Sequence, residues 1–232
     1  LHQSLAAMNA AHPPLPIVIL ISGRGSNLQS IIDAVAEDKL PVEIRAVISN
    51  RPAAPGLQRA SNAGIPVEVV DHTQYPDRES FDQALQTCIE RFRPGLVVLA
   101  GFMRILTAGF VHHYQGRMLN IHPSLLPDFP GIDTHRRALE AGREQHGASI
   151  HFVTEAVDGG PVVLQAPVPV LPEDTADTLA ARVLEQEHRA YPLAIHWFAE
   201  QRLQLDSNGQ ATLDGKVLTA PVLLTQESET PC

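Results

Sequence analysis

The chain has 232 residues, 44% hydrophobic and 19% charged, the composition of an ordinary globular protein, which excludes a disordered or fibrous chain and allows one substantial core. Its formal net charge of -9 argues against a nucleic-acid partner, because duplex binding rests on neutralising phosphates with Lys and Arg. Cys88 and Cys232, the only cysteines, exclude a disulfide framework and fit a reducing, cytoplasmic compartment. No apolar run approaches the roughly 18 residues of a membrane span, and residues 1–16, with no basic start and no long apolar stretch, are expected to be an extension rather than a secretory signal.

The stretch Ile17-Val18-Ile19-Leu20-Ile21 is unbroken, apolar and rich in β-branched residues, which suits a strand buried on both faces of a parallel sheet. It gives way to Ser22-Gly23-Arg24-Gly25-Ser26-Asn27, followed by Leu28, Ile31, Ile32 and Val35 at helical spacing. Strand, glycine loop and helix in succession present free backbone N–H groups to an anion. Leu28 stands where a dinucleotide loop carries its third glycine, the second strand ends in Ser49-Asn50 rather than an acid, and no Gly-Lys-Ser/Thr follows, so a single phosphate is the better fit.

Further on, the pattern predicts strands at 42–49, 67–70, 96–99, 118–121, 148–153 and 162–170. Helices are predicted at 56–63, over Phe81, Leu85, Cys88, Ile89 and Phe92, and at 134–141. The strand at 96–99 runs into Ala100-Gly101-Phe102-Met103-Arg104-Ile105-Leu106 at its carboxyl end, where open α/β sheets bind ligands. From an N-cap at Asp174 or Thr175, Leu179, Val183, Leu184, Tyr191 and Ile195 mark a long helix or helix pair that Pro192 should kink or interrupt. Past Leu203 the pattern weakens; Leu213-Asp214-Gly215-Lys216 is a hairpin turn in a peripheral tail, residues 204–232. The expected fold is α/β, Rossmann-like, with a mostly parallel central sheet and helices on both faces, its catalytic domain spanning 17–203.

Asn120 and His122, two apart at a strand end, point the same way and can act on one reacting atom; the prolines after them turn the chain out of the sheet. Asp158 lies in a glycine-rich turn. If it reaches His122, its charge favours the imidazolium, a proton donor. His112, His113, His122, His135, His146 and His151 show no recognised metal-ligand spacing, so no metal is expected. Ser22, Ser26 and Ser124 lack a nucleophile elbow, and Cys88 sits on an apolar helix face.

Together, Ile21-Ser22-Gly23-Arg24-Gly25-Ser26-Asn27-Leu28, Leu99-Ala100-Gly101-Phe102-Met103-Arg104-Ile105-Leu106, Leu119-Asn120-Ile121-His122-Pro123-Ser124-Leu125-Leu126-Pro127 and Val157-Asp158-Gly159-Gly160-Pro161 closely resemble the folate-dependent glycinamide ribonucleotide transformylases, in family order over residues 17–203. The resemblance implies a formyltransferase fold and transfer of a formyl group from 10-formyltetrahydrofolate to the amine of 5-phosphoribosylglycinamide in purine biosynthesis, with no metal. It implies small-molecule partners only, without nucleic acid or membrane, and a monomer or weak homodimer. By the same resemblance Asn120, His122 and Asp158 are catalytic, and Gly25, Ser26, Asn27 and Glu187 hold the ribonucleotide. Folate falls to Arg78, Met103, Arg104, Ile105, Leu106 and Asn120 and to the loop of Thr154, Glu155, Ala156, Val157 and Asp158.

Arg24 departs from the asparagine of well-known members, adding a cation near the phosphate or pointing to solvent. Methionyl-tRNA formyltransferase and formyltetrahydrofolate hydrolase share the Asn-x-His and Asp logic. The first should carry a further basic C-terminal domain, where this acidic chain has about 30 residues beyond Leu203, and the second has no need of the phosphate loop. A non-catalytic nucleotide- or folate-binding module is the reading from another class.

Overall fold

β1 (Leu15–Ile21) sits in the middle of the main sheet, with Ile17, Ile19 and Ile21 in one hydrophobic layer and Val18 and Leu20 in the other. Burial on both faces is what its unbroken apolar run dictates. The computed structural model describes residues 13–224; residues 1–12 and 225–232, including Cys232, lie outside them. After β1 come α1 (Ser26–Ala36), β2 (Val42–Ser49), α2 (Pro55–Asn62), β3 (Val67–Val69), α3 (Arg78–Glu90), β4 (Leu96–Leu99), α4 (Ala108–His113), β5 (Met118–His122) and α5 (Thr134–Glu140). The chain continues through β6 (Gln145–Phe152), β7 (Val162–Pro169), α6 (Ala176–Ala199), β8 (Leu203–Leu205), β9 (Ala211–Leu213), β10 (Lys216–Val217) and β11 (Val222–Leu223).

The main sheet runs β11-β7-β6-β5-β4-β1-β2-β3. Its pairings are parallel except on the two sides of β6, which pairs antiparallel with β5 and β7. From β1 the chain winds outward one way through β2 and β3, then returns to place β4 and β5 on the other side. The carboxyl ends of β1 and β4 therefore flank the point where the winding reverses, and the loops leaving them diverge around a crevice. The glycine loop leaves β1 there, and residues 100–106 leave β4 beside it.

α6 crosses the face carrying the larger core. Thr175 caps it by accepting from the Thr178 backbone N–H at 3.2 Å, completing a capping box. The expected interruption at Pro192 does not occur: one helix runs from Ala176 to Ala199 with Pro192 inside it. Proline removes one helical N–H and costs about 3 kcal/mol, but Ala190, Tyr191, Ala194 and Ile195 around it are buried, and tertiary packing of such a face outweighs local propensity. The Tyr191 hydroxyl, fully buried, lies 2.8 Å from the Leu99 carbonyl and 3.0 Å from that of Leu119, joining α6 to the ends of β4 and β5.

Beyond α6, β8, β9 and β10 form a small antiparallel sheet whose β9–β10 turn carries Asp214 and Gly215 at positive φ, the hairpin turn the sequence indicates. Part of the stretch assigned to a tail also joins the body of the fold, since β11 pairs with β7 and Ala211 and Leu224 are buried in the main core. Among the described residues no helix is long and apolar enough to cross a membrane.

Candidate active site

Gly25 adopts φ 71° and ψ 35° immediately before α1, so the chain turns sharply from β1 into the helix. A Cβ there would lie 2.8 Å from the Gly56 Cα, and the loop is further tied down by the Gly56 N–H, which donates to the Gly23 carbonyl at 3.0 Å. Only glycine meets both the left-handed backbone and this close approach. Ser26 opens α1, and Asn27, one residue on, donates through Nδ2 to Glu187 Oε2 on α6 at 2.6 Å. Burial raises the Glu187 carboxyl above the usual carboxylate range, and the Asn27 bond opposes that rise. Asn27 Oδ1 is buried without a partner. Arg24 is exposed, and its carbonyl accepts from Arg59 Nε at 2.8 Å.

Residues 103–106 form irregular backbone between β4 and α4. Met103 and Ile105 are 60% and 55% exposed, far more than apolar side chains with a packing role would be. Among the described residues, the backbone N–H and C=O groups of Arg104, Ile105 and Leu106 make no hydrogen bond. The segment thus presents an apolar edge with unspent backbone polar groups. The Arg104 guanidinium lies over the Phe81 ring at 5.5 Å. Arg78, also expected here, opens α3 and is exposed.

Asn120 and His122 occupy the last turns of the β5 pleat, and the chain brings Asp158 to them from the β6–β7 connection. His122 Nδ1 is 3.4 Å from Asp158 Oδ2, with the two side chains 6% and 11% exposed. Asp158 has φ 51° and also accepts from the Gly131 N–H at 2.8 Å, so its carboxylate bridges the loop after β5 and the turn before β7. On its other side His122 Nε2 donates to the Phe129 carbonyl at 2.9 Å. The two imidazole nitrogens thus face oxygens of Asp158 and of Phe129. The remainder of the expected folate loop is exposed at Glu155, Ala156 and Val157, and Glu155 pairs with His112 Nε2 at 2.7 Å.

His151 belongs to this group as well, although the sequence offers it only among possible metal ligands. The antiparallel register of β5 and β6 sets it directly opposite Asn120. Its Nδ1 donates to the Phe152 carbonyl at 2.9 Å, which leaves Nε2 as the acceptor for Asn120 Nδ2 at 3.2 Å. Burial lowers the His151 pKa, with the Phe152 bond and Asp158 acting against it, so the ring is neutral near pH 7. This contact fixes which way the Asn120 amide faces and leaves its second N–H free. Register between distant strands is not encoded in either strand alone, which is why His151 was missed.

The residues 15–195 match the profile of the formyl transferase family. Phosphoribosylglycinamide formyltransferase of Escherichia coli is 55% identical over 202 residues, covering 87% of this chain and 95% of that one. The chain belongs to the phosphoribosylglycinamide formyltransferase family. Within this family, a solved structure from Coxiella burnetii superposes with a TM-score of 0.88 at 51% identity, covering 91% of this chain and all of the other. The human trifunctional purine biosynthetic protein adenosine-3 is 47% identical over 194 residues, which make up 84% of this chain and 19% of that larger protein. The formyltransferase fold, mostly parallel with helices on both sides, is the one expected from the sequence.

Proposed function

We propose that this chain transfers the formyl group of 10-formyltetrahydrofolate to the amine of 5-phosphoribosylglycinamide, yielding the N-formyl ribonucleotide and tetrahydrofolate for purine biosynthesis. The observation that carries the reading is the convergence of Asn120, His122 and Asp158 from three separate stretches, with Asp158 3.4 Å from His122. The relatives' names support the substrates. The ribonucleotide phosphate sits on the backbone N–H groups at the start of α1, held by Gly25, Ser26 and Asn27, where the helix end favours an anion. Glu187, anchored through Asn27, faces the rest of the ribonucleotide. Folate lies along Met103, Arg104, Ile105 and Leu106, with Arg78 and the loop of Thr154, Glu155, Ala156, Val157 and Asp158 closing its other side.

The amine lone pair attacks the formyl carbon, and the C=O electrons move onto the oxygen. The second N–H of Asn120 and the His122 imidazolium donate to that oxygen, and Asp158 holds the imidazole by Nδ1. Collapse breaks the bond to the folate nitrogen, which takes up the proton that the amine loses through a water beside Asp158. Because His122 Nε2 is engaged by Phe129, the formyl oxygen must take over that N–H from the Phe129 carbonyl.

One assay with two arms tests the function. Formyl transfer is expected when 10-formyltetrahydrofolate meets phosphoribosylglycinamide, with little turnover in water alone. Equal consumption in both arms would identify a hydrolase, and none in either would leave a binding module.

A further inference from the structure

Two buried side chains outside the catalytic group hold the ends of the segment 103–106. Ser22, 3% exposed at the exit of β1, accepts the Met103 backbone N–H on Oγ at 2.8 Å and donates its own proton to Asn50 Oδ1 at 2.5 Å. Asp82, also 3% exposed, lies on α3 and accepts the Thr107 backbone N–H on Oδ2 at 2.6 Å. Between these two points the backbone of Arg104, Ile105 and Leu106 bonds to nothing within the described residues.

Neither side chain is placed as packing would require. Asn50, 1% exposed just after β2, is held in place by His72, whose Nδ1 donates to the Asn50 backbone carbonyl at 2.9 Å, and its side-chain oxygen accepts from Ser22. Ser22 is therefore a hydroxyl with both hydrogen-bonding directions committed, one to the second strand and one to the segment after the fourth. Asp82 keeps a carboxylate in an apolar layer beside Phe81 and Leu85, and its Oδ1 is buried without a partner. Burial raises its pKa, opposed by the Thr107 bond. The Asp82 carboxylate, toward which Arg78 and Arg104 also direct their charge, bonds at the start of the six-residue helix α4, whose first turn already has Thr107 Oγ1 accepting from the Phe110 N–H.

We propose that Ser22 and Asp82 are positioning residues that bracket residues 103–106, holding the folate-facing edge open at its middle and fixed at its ends. Ser22 adds a second effect, because it is the residue immediately before the phosphate loop. One hydroxyl thereby sets the distance between the edge that holds the formyl donor and the loop that holds the acceptor's phosphate. The proposal rests on the folate and phosphate assignments above. It predicts an asymmetry, since the phosphate loop has its own anchors in Gly56 and Arg59, whereas among the described residues the backbone N–H groups of 103–107 have acceptors only in the Ser22 and Asp82 side chains.

The test combines kinetics with amide exchange. Ser22→Ala and Asp82→Leu should each raise the KM for 10-formyltetrahydrofolate about tenfold, the loss of one well-placed hydrogen bond, while the KM for phosphoribosylglycinamide changes less than about twofold. Asp82→Asn keeps an acceptor for the Thr107 N–H and should stay within about twofold of wild type for both substrates. In the unaltered protein, hydrogen exchange should find the Met103 and Thr107 amides protected and those of Arg104, Ile105 and Leu106 fast, which needs no variant to fold. Equal changes in both KM values, no change in either, or uniform exchange across 103–107 overturns the bracket. An inactive wild type instead sinks the proposed function, so the two failures are separable.

Discussion

Alanine in place of His122 is expected to lower kcat/KM by about a thousandfold, with most of the loss in kcat. The ring is 5% exposed at the end of β5 and stands between Asp158 and the Phe129 carbonyl, so its removal takes away the proposed donor to the formyl oxygen and leaves Asp158 with the Gly131 N–H. A donor that acts only as negative charge develops contributes to the transition state and not to ground-state binding, so KM should move only severalfold. The loss converts to roughly 4 kcal/mol. Steady-state rates with both substrates varied decide the matter: a variant keeping more than about a tenth of wild-type kcat would remove His122 from the chemistry.

The second large effect is at Asn120. Asn120→Ala should reduce kcat by about a hundred- to a thousandfold, the range found when one oxyanion donor is lost. Asn120→Asp is nearly isosteric, yet it should be at least as damaging, because it sets a carboxylate where negative charge must accumulate and cannot donate to His151 Nε2. The paired variant Asn120→Ala with His122→Ala should lose less than the product of the single losses, since both donors serve one oxygen. An Asn120→Asp enzyme with near-normal kcat would show that the amide is not a donor in the transition state.

Much of the fold could be read directly because each signal was local. Ile17 to Ile21 had to be a central strand, the glycine loop had to precede a helix, and the alternation of strands with helices fixed a mostly parallel sheet. Asn120 and His122 were legible for the same reason, as a spacing of two on a strand settles a shared direction without tertiary information. Asp158 needed more, since its turn said nothing about what it faced, and the 3.4 Å approach to His122 comes from the β6–β7 connection folding back over β5.

What could not be read depended on partners far apart in the chain. His151 meets Asn120 through strand register, Ser22 meets Met103 across the reversal of the sheet, and Asp82 meets Thr107 from another helix. In each case a short polar residue in an apolar pattern was the only hint, and such residues more often satisfy themselves locally. At Pro192 the opposite held: of the two outcomes expected, a kink or an interruption, the interruption is overridden by the burial of Ala190, Tyr191, Ala194 and Ile195 around it. The Asp214-Gly215 turn succeeded because its conformation is set within four residues.

The bond from His122 Nε2 to the Phe129 carbonyl makes the resting chain its own competitor. The carbonyl is tethered seven residues away, so dilution never removes it, and on the proposed assignment the formyl donor would meet a site whose Nε2–H is already occupied. A net hydrogen bond of about 0.5–1.5 kcal/mol means that the observed affinity understates the intrinsic one by roughly two- to tenfold. That loss of affinity has a return in selectivity. On the proposed assignments, water arriving alone offers too little binding energy to displace the carbonyl, whereas a folate seated along residues 103–106 would, so His122 would be released chiefly to the correct donor.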